Sequence, residues 1–494
     1  MSYTNYHIKR NRQHAIILVD DKTTLPALFT AIYTVNSLSG KKFSTQRNSL
    51  ISIRFFYKYW LAKHSETLDR FFYRNNYNIN FITSEIDGFF DYLLSQQHRT
   101  DNDKVFPVSF MDAAISHVNK GTYSQHFRAV ARFLHYLNER YMCLDYQNLS
   151  PAEADTIYES NKTRLQNKVR DFSRLEIAKN EPGARYKSIN LQQLEKLNKM
   201  LLPSVPTFVD EETGEGFKAQ DNPVNPFKSI FLQYRNYLIH KLIYNYSLRA
   251  GEIQLLTLNS FGESQPDSQG NTSYLMSICN LPDYINDPRN KPITLKTSSS
   301  TRVITLDSED YNYMAIFVES YRNPLFEKKE VEDHGFLFTT ARGKFKPISY
   351  DTIRLVYKTI DSKFIRLHPY YRVNNPLLNM VKLTPHVGRH TWAYSALEFI
   401  YNDLLNEELR LSKNYGINGR MKGLLDAAAE QLRALGGWSI GSRMPYKYAQ
   451  RFLEKVANDS NLKRIRVPEL SCESQSGTVQ SNHFVDNGDF DEFI

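Results

Sequence analysis

Four separated segments of the sequence carry side chains that can handle a phosphate ester. In chain order they are SLRAGEIQLLTL with Arg249 and Glu252, LKTSSSTRVITL with Lys296, LTPHVGRHTWA with His386, Arg389 and His390, and LRALGGWSIGSRMPYKYAQRF with Trp438, Tyr446 and Tyr448. Two arginines can clamp the non-bridging oxygens of a phosphate, because guanidinium groups donate paired hydrogen bonds and offset the charge that grows in the transition state. Together, these residue types are what phosphodiester transfer without a metal requires.

A tyrosine, a lysine and a histidine would carry out the remaining steps. Tyrosine has an ordinary pKa of about 10, so its hydroxyl attacks at neutral pH only with a base or strong positive charge beside it. Lys296 begins a polar turn between two strand-like runs, where it could protonate a leaving hydroxyl. Each residue alone has a structural explanation, such as a core histidine or a helix-end arginine, but their joint order favours chemistry.

The order of these residues resembles that of the tyrosine recombinases, also called phage-type integrases. By motif the resemblance runs from about residue 188 to residue 455, and HVGRH is a fairly specific match. The N-terminal helices are similar to the core-binding domain of that family only in their helical pattern, without a matching motif. The resemblance implies a DNA strand transferase that forms a covalent 3′-phosphotyrosine intermediate, uses no metal or other cofactor, and rejoins strands without ATP.

The same resemblance implies a role for each residue. Arg249 and Arg389 would clamp the phosphate, Glu252 would support Arg249, and Lys296 would be the general acid. His386 would belong to the second catalytic box, whereas His390 would pack structurally. Trp438 stands where most members have histidine and some have tryptophan, and its indole N–H can still donate to the phosphate.

The nucleophile is left open between two tyrosines. Family members commonly place it nine residues after the His/Trp position, whereas Tyr446 lies eight and Tyr448 ten residues after Trp438. Tyr448 is favoured, because Tyr448-Ala449-Gln450 resembles the Tyr-Ala-His run of the family and Pro445 makes the preceding segment a bend. A second departure is a long stretch between Arg389 and Trp438, with residues 402–422 as the predicted insertion.

Composition places these motifs in a large globular chain. It has 494 residues, and its three cysteines (Cys143, Cys279 and Cys472) are too far apart to predict a disulfide framework or a metal site. Since no signal-peptide segment and no long apolar run is visible, a cytoplasmic, DNA-associated location with no membrane contact is expected. The final 24 residues hold five acidic residues and no Lys or Arg, so the chain's net charge of +9 becomes +14 for the remainder. This basic body favours a polyanion partner.

The predicted fold class is mainly α with a small β-sheet (α+β). The predicted domains are a helical core-binding domain at 1–180, a catalytic domain at 188–470 with insertions near 203–226 and 402–422, and an acidic tail at 471–494. A linker is expected around 171–190, where apolar periodicity lapses and Pro182-Gly183 would break a helix.

The first 180 residues are expected to be helical throughout. Apolar stripes predict helices at 45–64 and 122–141, and a third helix is expected to open at Thr83 and continue to Gln97. Five cations lie among or beside these stripes, and they are candidate phosphate contacts: Arg47, Arg54, Lys58, Arg128 and Arg132. A solvated helix face explains any single one of them equally well.

The function expected from these observations is site-specific recombination of double-stranded DNA, with integration or excision of a mobile element as the biological role. The alternative is a catalytically silent architectural or regulatory DNA-binding protein of the same fold. The resemblance also implies a synaptic tetramer and accessory DNA-bending proteins. Residues 483–494 alternate acidic and apolar side chains, so they are either a peptide that docks on a neighbouring protomer or a disordered tail.

Overall fold

The structure is a computed structural model of the 494-residue chain. It describes residues 3–10, 13–94, 120–145, 149–174, 186–204, 221–282, 285, 287–289, 293–373, 379–415, 423–448 and 450–466. The fold class predicted from the sequence is confirmed, because helices dominate and strands form two small antiparallel sheets.

The chain opens with a β-hairpin, which corrects the prediction that the first 180 residues are helical throughout. Strand β1 (Tyr3–Arg10) pairs with β2 (Gln13–Asp20) in a register that sets Tyr3 opposite Asp20. Side chains of a strand alternate between its two faces, and this alternation buries Ile16 and Leu18 while Ile17 is only partly covered. The apolar run AIILV therefore belongs to a strand.

Besides a π-helical segment at Thr34–Leu38, seven α-helices follow in the N-terminal part that the structure describes. They are α1 (Leu28–Tyr33), α2 (Phe43–His64), α3 (Leu68–Arg74), α4 (Ile79–Ser84), α5 (Ile86–Leu94), α6 (Lys120–Asp145) and α7 (Pro151–Arg174). The predicted helices at 45–64 and 122–141 are confirmed as α2 and α6. The predicted start at Thr83 is wrong, because α4 ends at Ser84 and α5 begins at Ile86. Trp60, Phe56 and Phe133 are fully buried in the core that joins these helices.

The described remainder of the chain contains ten α-helices and a three-stranded sheet. The helices are α8 (Leu191–Leu201), α9 (Ile230–Tyr244), α10 (Ala250–Ile253), α11 (Ser308–Ile316), α12 (Asn323–Lys329), α13 (Tyr350–Leu367), α14 (Pro385–Tyr415), α15 (Leu424–Gly436), α16 (Met444–Tyr448) and α17 (Gln450–Arg466). The strands are β3 (Phe261–Glu263), β4 (Tyr274–Ile278) and β5 (Arg302–Leu306). A π-helical segment at Phe317–Arg322 joins α11 to α12.

The small sheet is an antiparallel meander in the order β3-β4-β5, with Tyr274 opposite Leu306. Lys296 lies in the long connection between β4 and β5, as predicted from the polar turn between two strand-like runs. Helix α9 is nearly all buried and packs against α14, so it forms the centre of the larger hydrophobic core. This packing holds the start of α14 in a fixed position.

The predicted domain boundaries and insertions stay predictions. Residues 402–415 continue α14 as helix, while 416–422 lie outside the described residues. Most of 203–226 and the whole acidic tail at 471–494 also lie outside them. Among the described residues, no helix is both long enough and apolar enough to cross a bilayer.

Candidate active site

The HVGRH segment forms the first turns of α14. Pro385 is the first helical residue, a position that suits proline because the N–H it lacks would have no partner within the helix. Thr384, just before it, accepts hydrogen bonds from the backbone N–H of Val387 and of Gly388. Arg389 and His390 are buried, and His386 is exposed. The prediction that these residues lie at a helix start is confirmed.

Gly388 allows α14 to approach α9 closely. A Cβ atom at Gly388 would lie 2.5 Å from Cγ2 of Ile243 and 2.5 Å from Cε2 of Tyr244. Real Cβ atoms do not approach other atoms so closely, so glycine fits here and a larger residue would force the helices apart. The glycine of HVGRH thus has a packing function that fixes where its neighbours His386 and Arg389 lie.

Arg249 precedes α10 and is held by a buried carboxylate. Its Nη1 lies 2.5 Å from Oε1 of Glu252, and its backbone N–H donates to Oε2 of the same residue at 3.0 Å. Arg302, at the start of β5, donates from Nη2 to Glu252 at 3.1 Å. Only 2% of the Glu252 side chain is exposed. Burial raises the pKa of this carboxyl, but the charges of Arg302 and Arg249 and their hydrogen bonds outweigh burial, so its pKa is lowered.

The turn after α15 brings the two arginines together. Arg249 donates from Nη2 to the carbonyl oxygen of Gly437 at 3.4 Å, and Arg389 donates from Nη2 to the carbonyl oxygen of Gly436. Arg389 also donates from Nη1 to the carbonyl oxygen of Ser247, two residues before Arg249. Guanidinium groups from two distant sequence segments therefore meet at adjacent carbonyls.

Trp438 forms one wall beside Arg389. The guanidinium carbon of Arg389 lies 4.6 Å from the centroid of the indole ring, within the range of a cation–π contact. The ring is 6% exposed and packs in a small core with Trp392, Leu432 and Phe452. This core joins α14, α15 and α17, so Trp438 couples the position of Arg389 to the helices that flank the candidate nucleophiles.

His386 lies among four positive charges. The protein around it displaces water, which lowers its pKa, and the charges of Lys187, Arg389, Lys296 and Arg249 lower it further. The ring of His390 meets the ring of His386 edge to face, with centroids 4.8 Å apart. Three cations predicted for the active site, Arg249, Lys296 and Arg389, thus act on one accessible histidine. A site of this charge favours an anionic group.

Lys296 is exposed and lies at the edge of a cleft of about 910 Å³. The opposite side of this cleft is formed by the start of α2 and the residues before it, including Lys41, Lys42 and Arg47. The ammonium group of Lys42 donates to the main-chain carbonyl oxygens of Leu295 and Lys296. The N-terminal helices therefore contact the turn that bears Lys296 and add positive charge beside it.

The two candidate nucleophiles lie on the short helix α16. Tyr446 donates from its hydroxyl to Oδ1 of Asp426 on α15 at 2.6 Å. Burial, this hydrogen bond, and the charges of Asp426 and Glu430 raise the pKa of Tyr446 to about 12. The backbone of Tyr448 ends α16, and its side chain lies outside what the structure describes. Tyr446 is thus held in an acidic environment that disfavours its phenolate.

The predicted phosphate contacts of the N-terminal helices are not gathered in one place. Arg47 is exposed and lines the cleft beside Lys296. Arg54 and Lys58 are partly buried farther along α2, and burial lowers the pKa of Arg54. Arg128 and Arg132 line another groove, between α6 and α7. Only Arg47 lies beside the candidate active site.

Two cations near the candidate site, Lys187 and Arg302, are not identified by the sequence analysis. Lys187 lies in the segment interpreted as a linker, where no feature of the sequence distinguishes it from an ordinary solvated lysine. Arg302 follows a run of serines in LKTSSSTRVITL, and the alternation of β5 places it on the same face as buried Leu306. That alternation is a usable signal for an inward-facing arginine. No corresponding signal exists for Lys187.

Comparison with protein-family models finds no match, and comparison with curated proteins finds none. Comparison with solved structures finds similarity to XerH site-specific recombinase. XerH bound to palindromic difH substrate, a post-cleavage complex, is 12% identical, with 86% of this chain and 99% of that chain covered at a TM-score of 0.37. The pre-cleavage complex of XerH bound to difH substrate is 13% identical, with 84% and 96% covered at a TM-score of 0.30.

Proposed function

We propose that this chain is a tyrosine recombinase that cuts and rejoins double-stranded DNA through a 3′-phosphotyrosine intermediate. The observation that carries the proposal is the meeting of Arg249 and Arg389 at the carbonyl oxygens of Gly437 and Gly436. Two guanidinium groups that converge in this way can donate to both non-bridging oxygens of one phosphodiester. The charges of Arg389, Lys296 and Arg249 all act on His386, which supports His386 and Lys296 as further donors.

The proposed reaction needs only side chains of this chain. The hydroxyl oxygen of Tyr448 attacks the phosphorus, its proton leaves to solvent or a nearby base, and the bond from phosphorus to the 5′ oxygen breaks. Lys296 donates a proton to the departing 5′ oxygen, which leaves as a hydroxyl. Arg249, Arg389 and His386 stabilise the charge that develops on the phosphate oxygens. Rejoining reverses these steps, since the phosphotyrosine ester retains the energy of the broken phosphodiester.

Mobile-element integration or excision is the proposed biological role, with a tetramer on DNA as the working assembly. The cleft between α2 and the Lys296 turn supports a DNA partner, because Lys41, Lys42 and Arg47 line one side and Lys296 lines the other. A catalytically silent DNA-binding protein would need the cations but would not need their convergence on one histidine.

A covalent-capture experiment tests the proposal. Randomised DNA duplexes are first enriched by binding to the full chain, and the enriched pool is then labelled at either the 5′ or the 3′ end of its strands. A 3′-phosphotyrosine linkage keeps the 5′-labelled fragment on the protein and releases the 3′-labelled one. We expect a 5′-labelled adduct on a denaturing gel, formed in the presence of a metal chelator.

Two outcomes of that experiment would contradict the proposal. Retention of only the 3′ label would indicate the opposite linkage and a different enzyme class. Binding without an adduct, on duplexes nicked to let the cut strand escape, would favour the silent DNA-binding alternative. An Arg389→Ala variant is the control for adducts that form without the site.

A further inference from the structure

We propose that Lys187, from the segment that joins the N-terminal helices to α8, is a further phosphate-binding residue of the active site and is positioned there by Arg451. This inference rests on the proposed function. It assigns to Lys187 a contact with the scissile phosphate, or with the phosphate next to it, and it assigns to Arg451 a positioning role.

The backbone on the C-terminal side of Lys187 is fixed by two hydrogen bonds from different helices. Arg451 on α17 donates from Nη1 to the carbonyl oxygen of Ser188 at 2.9 Å. The backbone N–H of Ile189 donates to Oγ1 of Thr391 on α14 at 3.1 Å. Ser188, Ile189 and Thr391 are all buried. Since Thr391 lies one helical turn beyond His386 and Val387, this bond fixes the segment against the start of α14.

Arg451 is itself held between two aromatic rings. Its guanidinium carbon lies 4.9 Å from the ring centroid of Tyr186 and 5.3 Å from that of Tyr394. Tyr186 precedes Lys187, so Arg451 contacts the residues on both sides of it. The bond from Arg451 to Ser188 and the two ring contacts leave the segment little freedom, while the side chain of Lys187 stays exposed.

The charge of Lys187 acts on the candidate active site. Of the charged residues that lower the pKa of His386, Lys187 has the largest effect, ahead of Arg389, Lys296 and Arg249. An exposed ammonium group on a fixed backbone beside an anion site can donate hydrogen bonds to the oxygens of a phosphate. Arg451 also lies three residues after Tyr448, so one side chain ties the nucleophile-bearing part of the chain to the segment that bears Lys187.

A histidine titration tests the placement without using DNA. The full chain is labelled at histidine Cε1, the His386 signal is assigned with His386→Gln, and its pKa is measured by NMR in wild type, Lys187→Gln and Lys199→Gln. Lys199 is a matched control, because it is an exposed lysine paired with Glu195 on α8. Removing a nearby positive charge raises a histidine pKa, so we expect a higher His386 pKa in Lys187→Gln only. An unchanged value would overturn the placement, whatever the protein's activity.

Cleavage tests the contact with phosphate. With the binding-enriched duplex pool, we expect Lys187→Gln to slow single-turnover adduct formation about tenfold or more at saturating protein, and Lys187→Arg to restore much of the rate. Arg451→Met should slow it similarly, while Arg451→Lys restores part. If wild type forms adducts and Lys187→Gln forms them equally fast, the inference fails while the proposed function stands. If wild type forms none, the proposed function fails, and the titration still decides where Lys187 lies.

Discussion

The hydroxyl of Tyr446 donates a 2.6 Å hydrogen bond to Oδ1 of Asp426, and this bond makes Tyr446 the less suitable of the two candidate nucleophiles. An attacking tyrosine must lose its proton, and a carboxylate partner works against that loss. The pKa of Tyr446 is accordingly raised to about 12, chiefly by burial and then by Asp426. Spacing along the sequence leaves Tyr446 and Tyr448 equivalent, whereas the surroundings of Tyr446 favour Tyr448.

The first prediction concerns these two residues. We expect Tyr448→Phe to abolish the 5′-labelled adduct and Tyr446→Phe to retain it, because the hydroxyl of Tyr446 is committed to a structural bond with Asp426. Tyr446→Phe should also lower the free energy of unfolding by about 1 kcal/mol through the lost hydrogen bond. Adduct yield on a denaturing gel and urea unfolding measure the two effects. An adduct that survives Tyr448→Phe but not Tyr446→Phe would reverse the assignment.

The second prediction concerns the glycine inside HVGRH. Gly388→Ala places a methyl group 2.5 Å from atoms of Ile243 and Tyr244, so α14 must shift away from α9. Overpacking of this kind costs about 1–3 kcal/mol, and here it would also displace Arg389. We expect a lower midpoint of urea unfolding together with slower adduct formation.

Gly251→Ala is the matched control for this prediction. It lies in α10, and a Cβ atom there would have no heavy atom within 4 Å. Stability should be unchanged or slightly raised, since alanine is the better helix former. Equal effects of the two substitutions would show that close packing at Gly388 is not what the site requires.

The helices and the candidate site differ in how far the sequence predicts them. Apolar stripes locate α2 and α6 because the stripe directly reports the buried face. The N-terminal hairpin is missed, since the apolar run AIILV suits a helix as well as a strand over so short a length. The order of Arg249, Lys296, His386 and Arg389 predicts which residues belong together, but their convergence depends on the tertiary fold.

Lys187 illustrates what the sequence cannot supply. The role proposed for it rests on hydrogen bonds that Arg451 and Thr391 make with neighbouring backbone atoms. The periodicity of apolar residues does not predict such contacts, because they join parts of the chain far apart in sequence. Tyr446 is similar, since its partner Asp426 lies on another helix.

The third prediction concerns the geometry of the buried arginine. Arg389→Lys keeps the positive charge but cannot donate to Ser247, to Gly436 and to a phosphate with one planar group. We expect adduct formation to fall about 100- to 1000-fold while DNA binding weakens far less. Single-turnover rates and binding curves on the same duplex separate the two. Arg354→Lys, on the exposed face of α13, should change neither. Similar rates for Arg389→Lys and wild type would show that charge alone suffices.

The last prediction concerns Glu252, the buried carboxylate shared by Arg249 and Arg302. Its pKa is lowered in the folded protein, so its ionised form stabilises the fold. This stabilisation is fully present above the ordinary pKa of about 4.5 and is lost as pH falls through the lower folded value. Glu252→Gln leaves two arginines without a counter-charge, so we expect a loss of about 3 kcal/mol at neutral pH.

Urea unfolding from pH 7 down to the acid range tests the sign of this effect. The difference between wild type and Glu252→Gln should be constant above about pH 5 and should shrink at lower pH, where the wild-type carboxyl also becomes neutral. Glu195→Gln, at an exposed ion pair with Lys199 on α8, is the control and should show no comparable difference. A gap that widens as pH falls would mean that burial outweighs the two arginines and that Glu252 is protonated in the native protein.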